Sequence, residues 1–271
     1  MAATPICRVR KNEPGYDYSC ASTFEQGAHF VAIRPVYIPG LDGSSLVIPV
    51  QIEFQWFSGL SITQKQKAIQ SLHAAASLRG INKILEISSK SPNDLGVKLS
   101  AFNLHYELGD GKCYSLENVF QSSKVFEYGG PYLDLLQVSA KEAKTDPRLR
   151  ASGKLIKFTL ENTDWPLFPV TAFYDWLYLN ALKTSADISS QLHQFDGFSD
   201  IEFNPGRSLN CQAASAALFV SLIKRKEFES AISNTQSFLA RMNTNHRSSL
   251  PGYKNEMPIY SACKVEGNQC C

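Results

Sequence analysis

The segments "HFVAIRPVYIPG" and "SLVIPVQIEFQWF" are rich in β-branched and aromatic residues, with period-two alternation through Val50, Ile52, Phe54 and Trp56. The only interruption is "PGLDGSS", whose Pro and Gly residues favour a turn, so the pair predicts a β-hairpin. After it the period changes. "SITQKQKAIQSLHAAASLRG" places Ile62, Ile69, Leu72 and Ala76 on a helical stripe, with Ser61 or Thr63 as cap and Gly80 as stop. "NKILEISS" reads as a short strand and "VKLSAFNLHY" as extended through His105, before a turn at "GDG". A helix opens at Ser115, one or two short helices fill "PYLDLLQVSAKEAKTDP", and "PVTAFYDWLYLNALK" and "AASAALFVSLIKRKEF" are apolar helices. "FSDIEFNPGRSLNCQ" predicts a strand, a turn and the start of a helix. This order predicts one α+β domain, a mainly helical core with an N-terminal β-hairpin and short strands. Its bounds are 29–240, between loosely attached segments at 1–28 and 241–271.

Composition narrows the function. Of 271 residues 44% are apolar, enough for a sizeable core, and the formal charge of +2 provides no polybasic run that alone would announce nucleic acid or an anionic membrane. No apolar run approaches a membrane span, and the first residues lack a signal peptide's apolar stretch, so a soluble protein is expected, cytoplasmic or, in a eukaryote, nuclear. Seven widely spaced cysteines without a CxxC pair argue against a zinc site or a disulfide framework and for a reducing compartment. There is no P-loop, no Rossmann fingerprint and no GxSxG elbow. His73 has no second ligand at suitable spacing and reads as a surface or boundary histidine.

Four weaker constellations remain. Glu117, Gln121 and Lys124 stand at i, i+4 and i+7 after the Ser115 cap, a stripe that is either a solvated helix face or the wall of a site. Lys90 and Lys98 flank a small-residue loop with Ser88, Ser89 and Ser91 at a strand end, a place that can hold phosphate or merely connect. Trp165, Phe173, Tyr174, Trp176 and Tyr178 form a helical aromatic set suited to core or to a ring platform. Asn204 and Asn210 border a Pro-Gly turn leading into a helix, where amides can read a ligand or shape the turn.

The order of these signals resembles the NADAR, or YbiA-like, domain. "KLSAFNLHYELGDGKCYSLENVFQSSKVF", "SAKEAKTDPRLRASGKLI", "LENTDWP" and "FNPGRSLNCQAASAALFVSL" carry the resemblance. Ser100 and Phe102 match the family's Ser-Asn-Phe segment, with Ala101 replacing its Asn and Asn103 displaced beyond Phe102. Glu117, Gln121 and Lys124 match its helical Glu, Gln and Lys, Trp165 its Trp, and Asn210 its Asn. "RPVYIPGLDG", "QKQKAIQSLH", "ILEISSKSP", "GGPYLDLL" and "TAFYDWLY" are closer still to the branch of antitoxins found beside DarT-type DNA ADP-ribosyltransferases.

That resemblance implies a glycohydrolase that removes ADP-ribose from guanine in DNA without a metal or other cofactor, acting as a monomer and paired functionally with a DarT-type toxin. The alternatives are an N-glycosidase on riboflavin-pathway intermediates and a non-catalytic ADP-ribose or DNA reader. Glycosidic cleavage passes through an oxocarbenium-like state and needs an anion near C1. Glu117 can supply it, and a neutral lysine amine can capture the opened sugar as a Schiff base, Lys90 being the first candidate and Lys124 the second. Ser88, Ser89, Lys98, Ser100 and Asn103 are expected to hold phosphate or ribose, and Gln121, Asn204 and Asn210 the sugar or base. Trp165 is expected at the pocket edge, and Asp164 as a second carboxylate or a helix N-cap.

Overall fold

The computed structural model describes residues 30–43, 45–205 and 208–244. The predicted hairpin forms: β1 (Phe30–Pro39) and β2 (Val47–Trp56) pair antiparallel in unbroken register from Phe30 opposite Trp56 to Pro39 opposite Val47. Its turn is tight enough that a Cβ on Gly40 would lie 2.0 Å from the Ser45 carbonyl oxygen. Helix α1 (Ile62–Ser77), capped by the Ser61 hydroxyl, packs Ile69, Leu72 and Ala76 against β2. Strand β3 (Ile84–Glu86) runs parallel to a distant β9 (Gly197–Ser199), which pairs with β1 through Tyr37 and Phe198, so the sheet order is β2-β1-β9-β3.

The next segment departs from its expected extended form. "VKLSAFNLHY" is extended only at its end: Asn93 caps a short helix α2 (Asp94–Lys98) by accepting from the Leu95 N–H at 2.9 Å, and strand β4 begins only at His105 (His105–Glu107). An Asn two residues ahead of Leu95 supplies the cap that hydrophobic spacing does not register. After β5 (Cys113–Ser115), helix α3 (Leu116–Ser122) stops earlier than its stripe implied, and Lys124 opens strand β6 (Lys124–Phe126). The Ser122 and Ser123 hydroxyls both donate back to the Val119 carbonyl, at 3.0 and 2.7 Å, a local bond that competes with helix propagation.

A 3-10 turn (Leu133–Gln137), α4 (Ala140–Thr145, with a Ser139–Glu142 capping box) and α5 (Arg148–Ala151) lead to the hairpin β7 (Leu155–Leu160) and β8 (Thr163–Trp165). Strands β6, β7 and β8 form a second antiparallel sheet. Helices α6 (Ala172–Thr184), α7 (Ala186–Ser189) and, after β9, α8 (Gln212–Lys224), α9 (Phe228–Ala231) and α10 (Thr235–Thr244) complete the helical half. The result is the expected α+β domain.

The larger core lies between α3, α6 and α8, where Phe120, Phe158 and Phe173 stack with ring centroids 4.5 to 6.2 Å apart. Arg225 at the end of α8 ties the two halves together. Its guanidinium donates to the Gly40 carbonyl at 2.8 Å and to the Asp42 and Ser45 carbonyls at 2.7 and 3.0 Å, closing the hairpin turn. The segments expected to be loosely attached, 1–28 and 241–271, lie outside the described residues, except that 241–244 complete α10.

Candidate active site

Helix α3 buries all seven of its residues, Glu117 among them at 5% exposure. The polar stripe is therefore no wet helix face. Glu117 is held at three points: its N–H donates to the Ala101 carbonyl at 2.9 Å, its Oε1 accepts from Gln121 Nε2 at 2.8 Å, and the Lys144 ammonium stands 3.9 Å from Oε1. The other amide atom of Gln121, Oε1, is buried without a donor among the described residues. An acceptor in that state costs free energy unless a ligand supplies an N–H or O–H.

Lys124 comes to this carboxylate from β6 instead of from the same helix. Its amine lies 4.7 Å from the Phe120 ring centroid, and burial lowers its pKa to about 8. The Glu117 charge pulls that value up, and the Lys144 charge pulls it down. The residue keeps some solvent contact along its length, but the amine itself sits in low-dielectric surroundings, so desolvation dominates. Burial pushes the Tyr174 phenol well above 10, with the Glu117 charge adding to the effect, and its ring meets Phe120 edge-on at 5.2 Å.

The remaining candidates distribute unevenly. Ser100 is buried at the turn after α2, where its hydroxyl donates to the Val97 carbonyl at 2.7 Å and accepts from Asn103 Nδ2 at 3.1 Å. The same turn carries Ala101, so it is joined directly to Glu117. Ser88 is buried against Glu86 and accepts the Lys90 N–H at 3.2 Å; Ser89 is exposed, Lys90 half-buried and Lys98 exposed at the end of α2. Among the described lysines, Lys124 and Lys144 interact with Glu117, whereas Lys90 and Lys98 have no bond or ion pair to it.

Asn210 lies just before α8, its Oδ1 buried without a donor among the described residues; Asn204 accepts the Ser208 N–H at 2.9 Å through its carbonyl. Gln212, two residues on, donates to the Ile87 carbonyl at 2.7 Å and accepts the Ala101 N–H at 2.8 Å, clasping three segments.

Two expectations change. Trp165 is 2% exposed and packs on Phe173, Trp176 and Phe238, so it belongs to the core and not to a pocket edge. Asp164 lies on β8 and pairs with Lys157 at 2.6 Å and Thr159 at 2.7 Å, while the N-cap position of α6 is Thr171. Sequence reasoning missed Lys144, Tyr174 as a neighbour of Glu117, and Gln212. Lys144 is 27 residues from Glu117 and no local spacing links them. A separate groove of about 310 Å³ follows the opposite side of α3, along Val119, Ser122 and Ser123, and does not include Glu117.

The fold and the site together define a single-domain α+β protein with a buried carboxylate beside an amine of lowered pKa. Among the described residues no cluster of His, Cys, Asp and Glu is arranged to hold a metal ion, and no helix is long and apolar enough to cross a membrane. The chain belongs to the DarT1-associated NADAR antitoxin family, whose family model matches residues 32–250. Comparison with curated proteins found no match.

Proposed function

We propose that this protein hydrolyses the N-glycosidic bond between ADP-ribose and a guanine of DNA, and so reverses the modification made by a DarT-type ADP-ribosyltransferase. One observation carries the reading: the Lys124 amine, with its pKa lowered to about 8 by burial, lies within reach of the charge of the buried Glu117 carboxylate. The bond from ribose C1 to the guanine nitrogen breaks, its electron pair leaves with the base, and a proton goes to that nitrogen. Glu117 faces the positive charge that grows at C1. The neutral Lys124 amine then captures C1 as an imine, the ring oxygen taking a proton, and water hydrolyses the imine to release ADP-ribose and free the amine. Net consumption is one water.

The orphan acceptors support a ligand of this chemistry. Gln121 Oε1 and Asn210 Oδ1 both lack donors among the described residues, and ribose hydroxyls and the amino edge of guanine are donors. In this reading Ser100, Asn103 and Asn204 contact sugar or base, and Ser88, Ser89, Lys90 and Lys98 contact phosphate. Lys124 replaces Lys90 as the lysine expected to meet the sugar, because it interacts with Glu117 and Lys90 does not, and burial lowers its pKa.

The test is incubation with a guanine-ADP-ribosylated oligonucleotide and, separately, with a pyrimidine ribosyl phosphate. Release of ADP-ribose from the first is expected. Release of ribose phosphate from the second alone would assign a small-molecule glycosidase, and retention of ADP-ribose with no release would assign a reader.

A further inference from the structure

Away from Glu117, two cations converge on one indole. Arg34 faces Ile52 across the hairpin, and Trp56 ends β2 on the same face. The Arg34 guanidinium carbon lies 5.5 Å from the Trp56 ring centroid, and the Lys65 ammonium, from the first turn of α1, lies 5.3 Å from it. Lys65 has a counter-charge, the Glu202 carboxylate at 3.1 Å.

Arg34 has none among the described residues. Its Nη1 donates to the carbonyl of its own neighbour Ile33 at 3.0 Å, and its Nε is buried with no acceptor. Burial depresses the guanidinium's pKa, so the cation is held partly out of water without an anion to compensate. The notch thus holds two positive charges and one negative, with a planar donor fork short of an acceptor. Phosphate oxygens match that fork, whereas a neutral acceptor would leave the charge uncompensated.

The notch is joined to the candidate site by a continuous series of contacts. Glu202 follows Asp200, whose carboxylate accepts the Glu202 and Phe203 N–H groups at 3.0 and 3.1 Å and bonds the Gln212 side chain. Gln212 holds Ala101, and the Ala101 carbonyl holds Glu117. Beside the notch Phe30, opposite Trp56 on the same face, is more than half exposed, apolar surface against which a sugar or base can pack. A chain of formal charge +2 has no broad basic field, so discrete seats must hold a DNA backbone.

We propose that Arg34, with Lys65 and Trp56, seats a backbone phosphate of the DNA strand that flanks the modified guanine. The proposal rests on the site's acting on DNA, and its test separates the two. Fluorescence anisotropy of an unmodified single-stranded oligonucleotide is followed across a potassium chloride series for wild type, Arg34→Met, Arg34→Lys and Lys65→Met. Arg34→Met is expected to weaken binding by roughly tenfold at low salt and to make the log–log salt slope shallower by about 0.7, the loss of one single-strand phosphate contact.

Arg34→Lys recovers part of the affinity, and Lys65→Met weakens binding in the same direction. Because the guanidinium is uncompensated in the free protein, Arg34→Met unfolds at or above the wild-type temperature; a purely structural arginine would give the reverse. In parallel, KM for an ADP-ribosylated oligonucleotide rises in Arg34→Met while KM for ADP-ribosylated free guanosine stays put. Should wild type lack glycohydrolase activity yet bind DNA through Arg34, the seat stands and the catalytic reading falls. Wild-type affinity and salt slope in Arg34→Met, or Arg34-dependent binding of a polyglutamate peptide more tightly than DNA, overturns the seat.

Discussion

The perturbation that probes the site most directly is pH, acting on Lys124. A lysine with a pKa of about 8 has roughly one amine in ten uncharged at pH 7, against roughly one in 2,500 for an ordinary lysine near 10.4. Burial thus raises the concentration of the nucleophilic form on the order of 200-fold, an effect of about 3 kcal/mol on the capture step. Borohydride trapping of the protein–ADP-ribose adduct, quantified by mass spectrometry across pH 6 to 11, should give a rising curve with its midpoint near 8, and Lys124→Ala should abolish it. The neighbours set two further signs. Glu117 raises the Lys124 pKa and Lys144 lowers it, so Glu117→Gln should move the midpoint down and Lys144→Met should move it up. A midpoint near that of an ordinary lysine, an adduct that survives in Lys124→Ala, or shifts of the opposite sign would refute the reasoning.

Three other outcomes follow from the same packing. Glu117→Gln should slow ADP-ribose release by about 10² to 10⁴ in single-turnover assays while the melting temperature stays within a few degrees, and near-normal release would remove Glu117 from the mechanism. Asn118→Ala should cost about 2 kcal/mol in denaturant unfolding, because Asn118 Nδ2 donates to the buried Leu135 carbonyl at 2.6 Å and to Val138 at 2.8 Å; a change below ~0.5 kcal/mol would contradict that. Stability should fall between pH 6.5 and 8. Burial, with the Glu86 charge adding, raises Asp200 to about 8, so the folded chain keeps a proton that the unfolded chain releases near ~3.9, and stability is lost as pH climbs between them. His73, half-buried and held to about 4, has the opposite slope below its unfolded value of ~6.5 and offsets part of the loss there, whereas above it the loss from Asp200 and from the buried Glu86, which desolvation also raises, stands unopposed. Melting temperatures of wild type and Asp200→Asn across this range check it, the variant being expected to show a shallower decline.

Much of the scaffold could be read from periodicity because the residues that shape it are local. The hairpin needs only alternation and a glycine-bearing turn, and α1 only a stripe and a serine cap. What escaped was decided by side chains bonding back to their own backbone: Asn93 opened α2 where spacing suggested a strand, and Ser122 with Ser123 closed α3 before Lys124. The site was legible to a different depth at each residue. Glu117, Gln121 and Lys124 were visible as a stripe, but spacing alone favoured a solvated helix face, and the family pattern singled them out. The structure changes the reason they lie together, since the amine arrives from a strand. Lys144 and Gln212 carried no such signal, because each reaches its partner across a gap that only tertiary packing closes.

The division between rigid and adjustable parts of the site follows from what holds each. Helix α3 is clamped by Asn118 to the segment after β6, by the Glu117 N–H to Ala101, and by the Ser123 carbonyl to the Thr159 N–H at 2.8 Å. With every residue buried, it cannot shift to follow a substrate without breaking those bonds. The Glu117 carboxylate is therefore a fixed point. Lys144 differs: its side chain is 57% exposed on α4, and it stands at ion-pair distance from Glu117 and 5.1 Å from the Phe102 ring. In the proposed reaction this lysine, its own side chain exposed, is the group free to swing toward the pyrophosphate of the substrate. When it leaves Glu117 and is neutralised by that phosphate, it also depresses the Lys124 pKa less. In the proposed reaction that would favour the charged form of Lys124 as proton donor to the departing base, the neutral form that captures the sugar following once the proton has been given up.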